Sequence, residues 1–254
     1  MNNFNLCYTQ FVDLLIRDWR CKKLDTNIIK NAPEISILNV HKKNNKFLLI
    51  LSLLFKRIFD IFAGIIGAII LIPLSLIIFI LNLISGDSGS LFYSQKRIGK
   101  NGEYFKMYKF RTMCLNSDKK LDELLANSKK LQKEWDDNRK LKNDPRVTKV
   151  GKFLRKTSLD EWSQFLNVLL GQMSLVGPRA VVSDEIEKFG IYKNIVFSVK
   201  PGITGYWAAN GRSNTTYPER VLMEYKYVTN FSLMLDFKIL IKTILSILKK
   251  DGAI

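Results

Sequence analysis

Histidine is nearly missing from this sequence: His41 is the only one in 254 residues, and it lies in a polar, lysine-rich lead segment. A Ser-His-Asp relay and a histidine-based metal centre are therefore not expected, and His41 reads as a solvated surface residue. Cysteine is scarce as well. Cys7, Cys21 and Cys114 are far apart, odd in number and form no Cys-x-x-Cys pair. That pattern argues against a disulfide framework and a cysteine-rich zinc site, and it fits a reducing compartment. No Gly-x-Gly-x-x-Gly follows a strand pattern, no Walker loop is present and no internal repeat occurs, so dinucleotide and ATP chemistry are not supported. Met1 to Arg20 has no continuous apolar core and no small-residue cleavage site, so a cleavable leader is not expected there. Acidic residues are outnumbered: 23 Asp and Glu against 40 Lys and Arg give a net charge of +17. Such a surplus favours anionic partners, whether nucleic acid, lipid headgroups or phosphorylated substrates.

One long apolar run stands against this charge. Ile61 to Ile84 holds 24 residues without a charge, enough for a helix to cross a bilayer. Pro73 near its middle must remove one backbone hydrogen bond and kink the helix, while Gly64 and Gly67 loosen its first half. Basic residues flank both ends: Lys42, Lys43, Lys46, Lys56 and Arg57 before, Lys96, Arg97 and Lys100 after. Positive flanks prefer the cytoplasm. A helix broken at Pro73, with arms of about 11–12 residues or roughly 17 Å each, keeps both ends on one side. A kinked single span is the alternative, because proline is tolerated in spanning helices. Near the C-terminus, Leu233, Phe237, Leu240, Ile241, Ile244, Leu245 and Leu248 recur at helical spacing, with Lys238, Lys242 and Lys249 on another stripe. This fits either an interfacial helix or a core helix.

The hydrophobic fraction of 47% allows a sizeable core between these segments. Leu91–Ile98 and Tyr104–Phe110, joined by Gly99-Lys100-Asn101-Gly102, read as a β-hairpin. Lys96, Arg97, Lys106, Lys109 and Arg111 make it basic, as a solvated face or as a phosphate or headgroup contact. Asp118 to Leu141 reads as one charged surface helix with Leu121, Leu124, Leu125, Leu131 and Trp135 on its apolar side. Ser158-Leu159-Asp160-Glu161 has the form of a capping box, with Leu159, Trp162, Phe165, Leu166, Leu169 and Leu170 continuing a helix to Gly171. Acidic residues in a first turn need no catalytic role. Equally, a carboxylate at a helix N-terminus has a lowered pKa, stays ionised and suits a nucleophile, and the same terminus is an anion site. Val176-Gly177-Pro178-Arg179 is a turn that delivers an arginine, whose guanidinium fits phosphate bidentately. Pro201-Gly202-Ile203-Thr204-Gly205 is a second tight turn, and Thr216-Tyr217-Pro218-Glu219 opens a helix.

These motifs, together with Lys109-Phe110-Arg111-Thr112-Met113 and Asp144-Pro145-Arg146-Val147-Thr148, resemble in order those of the bacterial sugar transferases that act on polyprenyl phosphate, the monotopic phosphoglycosyl transferases. The resemblance runs from about Lys56 to Lys250; the first fifty or so residues carry no motif identified with it. It implies an α+β, mostly helical fold: a lead segment, 1–55, without an assigned role, a re-entrant membrane helix, 56–86, and a small cytosolic catalytic domain, 87–254, with a short β-hairpin and interfacial amphipathic helices. It implies that Asp160 is the nucleophile and a ligand of Mg²⁺, and that Glu161 is its partner, orienting or deprotonating the acceptor phosphate. Arg155, Arg179, Lys109 and Arg111 are implied to hold substrate phosphate, and Pro73 to mark the membrane kink. The implied activity passes a sugar 1-phosphate from a UDP-sugar to undecaprenyl phosphate through an aspartyl intermediate, on the cytosolic face of the bacterial inner membrane. Implied partners are those two substrates and membrane lipids, with no nucleic acid and a homodimer permitted. The stretch Tyr206 to Arg212 resembles members that transfer a hexose phosphate. Departures stand at Ile72, where a serine often precedes the proline, at Trp162-Ser163, at Gln172 and at Ala180. Two other classes fit the composition: a membrane-anchored nucleic-acid-binding module, suggested by charge, and a non-catalytic scaffold of polysaccharide assembly, which the intact Asp160-Glu161 pair disfavours.

Overall fold

The computed structural model describes residues 46–138, 141–211 and 215–249. Cys7, Cys21, His41, Lys42, Lys43 and Arg212 lie outside those residues, as does most of the 1–55 segment. The first element is α1 (Lys46–Ile84), the one described helix long and apolar enough to cross a membrane. It starts well before the expected boundary at residue 56, because Lys46 to Phe55 is a run of helix-compatible apolar residues with no glycine or proline. Helical structure also continues through Pro73. The ring deletes only its own hydrogen bond to the carbonyl of Ile69, so the expected break is not an interruption of the helix.

An antiparallel hairpin follows, β1 (Phe92–Ile98) and β2 (Tyr104–Phe110), registered from Phe92–Phe110 to Ile98–Tyr104. It matches the sequence expectation. The charged stretch after it is two helices, α2 (Ser117–Asn127) and α3 (Lys129–Asn138), and not one. Ser128 is extended at φ −147° and breaks the expected helix between them. Then come α4 (Lys149–Thr157), α5 (Gln164–Leu169), β3 (Ser174–Val176), a 3-10 segment over Ser183–Tyr192, α6 (Lys193–Val196), β4 (Gly202–Thr204), α7 (Tyr206–Asn210), α8 (Tyr217–Thr229) and α9 (Leu233–Lys249). β3 and β4 pair in parallel. α8 carries a complete capping box, Thr216 with Glu219, and its proline sits in the first turn.

The first half of α1 is gripped by polar side chains. Lys56 Nζ donates to the Val176 carbonyl (2.8 Å) and to Asp236 Oδ2 (2.5 Å), and Arg57 donates to the carbonyls of Val168 and Leu169. Asp60, 3% exposed, accepts from Ser174 Oγ (3.1 Å) and the Leu175 N–H (2.9 Å). Lys56 and Arg57 are thus internal ties and not only flanking charges. Gly64 and Gly67, expected to loosen the helix, instead let α5 approach. A Cβ at Gly67 would lie 2.2 Å from Phe165 Cγ, and one at Gly64 would lie 3.3 Å from Leu169. The second half of α1 packs Leu71 and Ile78 with Phe110 and Leu154.

Both halves of α1 therefore hold the same globular body. Its outer face does not: 22 large apolar side chains between Phe47 and Ile84 are exposed. Soluble monomers rarely expose contiguous apolar patches beyond roughly a few hundred Å², and larger ones mark surfaces that bind a partner or a membrane.

α9 carries two faces. Asp236 and Ile239 are buried against the core, while Met234, Phe237, Ile241, Ile244 and Leu245 point outward. One side of this helix is core, as one of the two readings expected, and the other is apolar and exposed.

Gly67→Ala tests the helix contact. In an open helix this change gains up to about 1 kcal/mol. Against Phe165 it should cost about 1–3 kcal/mol through overpacking, read as a lower melting temperature in detergent. A raised melting temperature would refute the contact.

Candidate active site

The Asp160-Glu161 pair is presented by a turn and not by a helix start. Thr148 caps α4 by accepting from the Gly151 N–H (2.9 Å). Ser158 ends it in the left-handed region, φ 57°, which throws the chain off the helical path. Leu159–Glu161 then form one 3-10 turn. Ser158 makes no capping hydrogen bond and Glu161 turns to Lys109, so the expected capping box is not formed. The continuous helix to Gly171 is replaced by this turn and the short α5. Leu159 and Trp162 pack inward beside Phe110 and Leu154, and Trp162 Nε1 donates to the Gly67 carbonyl (3.0 Å).

Lys109 on β2 serves both acids unequally. Its Nζ lies 2.6 Å from Glu161 Oε1 and 4.0 Å from Asp160 Oδ2. The Asp160 side chain is 13% exposed and that of Glu161 is 40%. Burial raises the Asp160 pKa above its ordinary value; Lys109 and Arg155 oppose this, and the Glu161 charge adds to it. Burial also pushes Glu161 upward, but Lys109, by charge and hydrogen bond, with Arg179 and Arg97, holds it below its ordinary value. The expected lowering at Asp160 is thus corrected. A single 3-10 turn supplies little dipole, and desolvation dominates.

Arg179 is set by two stacked turns. The Gly177 N–H donates to the Thr204 carbonyl (2.9 Å), and that of Gly202 to the Pro178 carbonyl (2.8 Å). A Cβ on Gly202 would stand 2.1 Å from Gly177 N, and one on Gly205 2.1 Å from Gly177 O. Only glycine permits that backbone contact. The Arg179 N–H donates to Glu224 Oε1 (3.0 Å), and its guanidinium lies 5.4 Å from the Trp207 ring. Arg155 donates to Thr112 Oγ1 (3.0 Å) and acts on Asp160 through its charge.

Lys109, Arg155, Arg179, Asp160 and Glu161 are therefore brought to one place. Arg111 is engaged elsewhere: it pairs with Asp87 (2.9 Å) and donates to the carbonyls of Ser90 and Met113. That ties the chain leaving α1 to the hairpin. Pro73 is exposed on the outer face of α1.

Several site residues were not legible as such. Arg97 reads in sequence only as part of the basic hairpin, yet it donates to the Ala180 carbonyl (3.1 Å) and acts on Glu161. Arg220 on α8 donates to Glu185 Oε2 (3.2 Å) and lies 4.8 Å from Trp207 and 4.9 Å from Tyr217. Tyr217 donates to the same Glu185 oxygen (3.0 Å). Glu224 is buried, which pushes its pKa up to about 7. The i, i+4 spacing of Arg220 and Glu224 on one helix is the only local signal for this group.

Among the described residues, no three His, Cys, Asp or Glu side chains cluster as a metal cage. Mg²⁺ does not need one, since it commonly takes one or two carboxylates and completes its shell with substrate phosphate and water. Asp160, short of positive charge, fits such a ligand. The departures at Gln172 and Ala180 are accommodated. Gln172 Oε1 accepts from Asn167 Nδ2 (2.7 Å), a role that an acidic side chain would also fill, and Ala180 is buried beside Phe105 and Met107.

The sequence model of the bacterial sugar transferases, described as "Bacterial sugar transferase", matches residues 51–250. The chain is 45% identical over 215 residues to the undecaprenyl-phosphate galactose phosphotransferase of Salmonella typhimurium, covering 85% of this chain and 43% of the relative. It is 44% identical over 198 residues to the exopolysaccharide production protein ExoY of Sinorhizobium fredii, covering 78% of this chain and 87% of that one. With the UDP-N-acetylgalactosamine-undecaprenyl-phosphate N-acetylgalactosaminephosphotransferase of Aeromonas hydrophila it shares 36% identity over 208 residues, 78% of this chain and 44% of the relative. The chain thus spans less than half the length of the Salmonella and Aeromonas proteins.

The raised Asp160 pKa has a stability consequence of definite sign. The native state binds this proton more tightly than the unfolded chain does, so stability is lost as pH rises and Asp160 ionises. Asp160→Asn should therefore raise the melting temperature at neutral pH, with the gain shrinking below about pH 4, where the acid is protonated in both states. A melting temperature lowered at pH 7 would contradict this desolvation.

Proposed function

Because the chain belongs to the bacterial sugar transferase family, we propose that it is a phosphoglycosyl transferase that moves a sugar 1-phosphate from a UDP-sugar to undecaprenyl phosphate. The observation that carries this reading is the placement of Asp160 and Glu161 beside Lys109, which bonds Glu161 and stands 4.0 Å from Asp160. An Asp160 oxygen attacks the phosphorus that bears the sugar, forming an O–P bond as the bond to UMP breaks. UMP leaves with the electron pair. An oxygen of the lipid phosphate then attacks the same phosphorus and releases the Asp160 carboxylate, giving a lipid diphosphate sugar. Atoms and charge balance without an oxidant or an added proton.

The environment suits those steps. Asp160 is desolvated and loosely paired, so little interaction must be given up when it bonds to phosphorus. Glu161 is kept ionised by Lys109 and is placed to orient the acceptor. Lys109, Arg155 and Arg179 offset charge that develops on the phosphoryl oxygens. Mg²⁺, held by Asp160 and substrate oxygens, would supply further neutralisation of phosphate charge.

Lipid supplies the covering that the outer face of α1 needs. The run from Lys56 to Ile78 would rise about 33 Å in a straight helix, close to the ~30 Å thickness of the hydrocarbon core. Yet Lys56 is tied to Val176 and Asp236, and Ile78 packs on Phe110 and Leu154 of the same body. A perpendicular span would pull one end off that body, and this supports a re-entrant or in-plane placement on the cytosolic face of the inner membrane. The outward apolar side of α9 fits the same surface. The donor sugar is proposed to be a hexose, such as the galactose named for the Salmonella relative.

Incubation of purified protein with a panel of UDP-sugars and undecaprenyl phosphate should release UMP, and a labelled sugar phosphate should remain on the protein when lipid is withheld. Asp160→Asn should abolish both. Full activity in that variant ends the proposal. Lys109→Met should lower kcat by roughly 10²–10³-fold, the loss typical of a removed charge stabiliser. It should also move the acid limb of the pH–rate profile upward, because Glu161 loses the partner that depresses its pKa. An unmoved limb would separate Glu161 from the rate.

A further inference from the structure

One aromatic side chain beside the acid pair has no part in the steps above. The hairpin pairs Tyr93 with Lys109, and residues directly opposite in an antiparallel pair point to the same face. Lys109 reaches the acids from that face, so Tyr93 stands on the side of the hairpin where Asp160 and Glu161 lie. Further along, the same face is closed. Phe105, opposite Arg97, and Met107, opposite Gln95, are buried against Val168, Met173 and Ala180. The face opens at the partly exposed Lys109, and Tyr93 is 52% exposed. An exposed aromatic side chain is ordinary by itself; what distinguishes Tyr93 is its place at the open rim of the site.

That place lies toward the apolar helix. At this end of the hairpin, Phe92 stacks on Phe110 with ring centroids 4.9 Å apart, and Leu91 and Phe110 pack with Leu71 and Ile78 of α1. At the other end, Ile98 packs with Val181 and Phe189. Tyr93 is thus two residues, about 7 Å of strand, from Leu91. α1 itself is about 10 Å across, with Ile72, Leu76, Ile77 and Phe79 exposed on its outer side. An acceptor whose phosphate meets Asp160 while its chain stays in the lipid over α1 has to lay its first units across this interval. Those units are isoprenes, which are branched, unsaturated and apolar. A tyrosine suits such a boundary, because its ring is apolar and its hydroxyl can stay wet.

We infer that Tyr93 is an acceptor-binding residue, whose ring packs against the isoprene units next to the lipid phosphate and so guides that phosphate to the acid pair. This role rests on the transfer to undecaprenyl phosphate proposed above, and it adds a determinant of which lipid is taken. The uracil of the donor is the other group in the reaction that could stack on the ring. It arrives from water, however, and has no need of a path along α1, whereas the acceptor has no other way to keep its chain in lipid.

The test uses the full chain in nanodiscs, the UDP-sugar of the panel that releases most UMP, and undecaprenyl phosphate at varied mole fraction. Tyr93→Ala should raise the KM for undecaprenyl phosphate at least about fivefold and that for the UDP-sugar less than about twofold. Tyr93→Phe keeps the ring and should restore the lipid KM. An unchanged lipid KM in Tyr93→Ala overturns the role. A rise confined to the donor KM also overturns it, by giving the ring to the nucleotide. So does an equal rise in both KM values, or a fall in kcat with both unmoved, since either would make Tyr93 only a brace for Lys109. If the weaker strand propensity of alanine unfolds the hairpin, Tyr93→Thr, which keeps a strand-forming residue, decides in its place. Failure of the underlying reading looks different and removes the role with it: the unmodified protein would then release no UMP from any UDP-sugar.

Discussion

Lys109 stands between two acids that are neighbours in the chain, and it cannot satisfy both. At 2.6 Å from Glu161 and 4.0 Å from Asp160, it gives one a hydrogen bond and the other only a distant charge. The result is a split pair. Glu161 is held in its charged form, while Asp160 is left desolvated and short of compensation. Two carboxylates driven apart in this way can take separate chemical roles. The split depends on β2 placing Lys109 opposite the 3-10 turn, and on Ser158 adopting a left-handed conformation that releases the turn from α4. A regular helix through residue 158 would have pointed the two adjacent acids about 100° apart around its axis.

The site is physically continuous with the long apolar helix. Trp162 follows the acid pair directly, packs inward beside it, and bonds the backbone of Gly67. Arg57 fixes the end of α5, and Asp60 fixes the start of β3, from which the turn to Arg179 departs. Buried charges such as Asp60 add little net stability when fully paired, but they are expensive to mispair. Their value here is positional. They set the position and rotation of α1 relative to the acids.

Much of this was readable from local pattern. The hairpin, the capped start of α8, the apolar run and the two glycine turns each depend on short-range chemistry, and the structure reproduces them. The failures share a cause. The Ser158–Glu161 capping box is a valid local signal, and it lost to the pull of Lys109, fifty residues away in sequence, and to the inward packing of Leu159 and Trp162. Gly64 and Gly67 looked like sources of looseness because their partners, Leu169 and Phe165, lie on another helix. The pairing of Arg111 with Asp87, 24 positions away, likewise had no local signal.

By itself the sequence determined the class of chemistry: one histidine, scattered cysteines and a cationic surplus leave carboxylates, lysines and arginines to act on anions, beside a segment too apolar for water. Its motif order also fixed the family. Only the tertiary structure decided which charges meet. Arg97, Glu185 and the Arg220–Glu224 pair come from three separate regions of the chain, yet Arg220 meets Glu185, Trp207 and Tyr217, Glu224 holds the Arg179 N–H, and Arg97 feels the charges of Arg179, Glu185 and Arg220. Desolvation likewise has no signature in a linear pattern, because it is set by whatever packs against a group from every side. That is why Asp160 could be singled out in advance while the direction of its pKa shift could not.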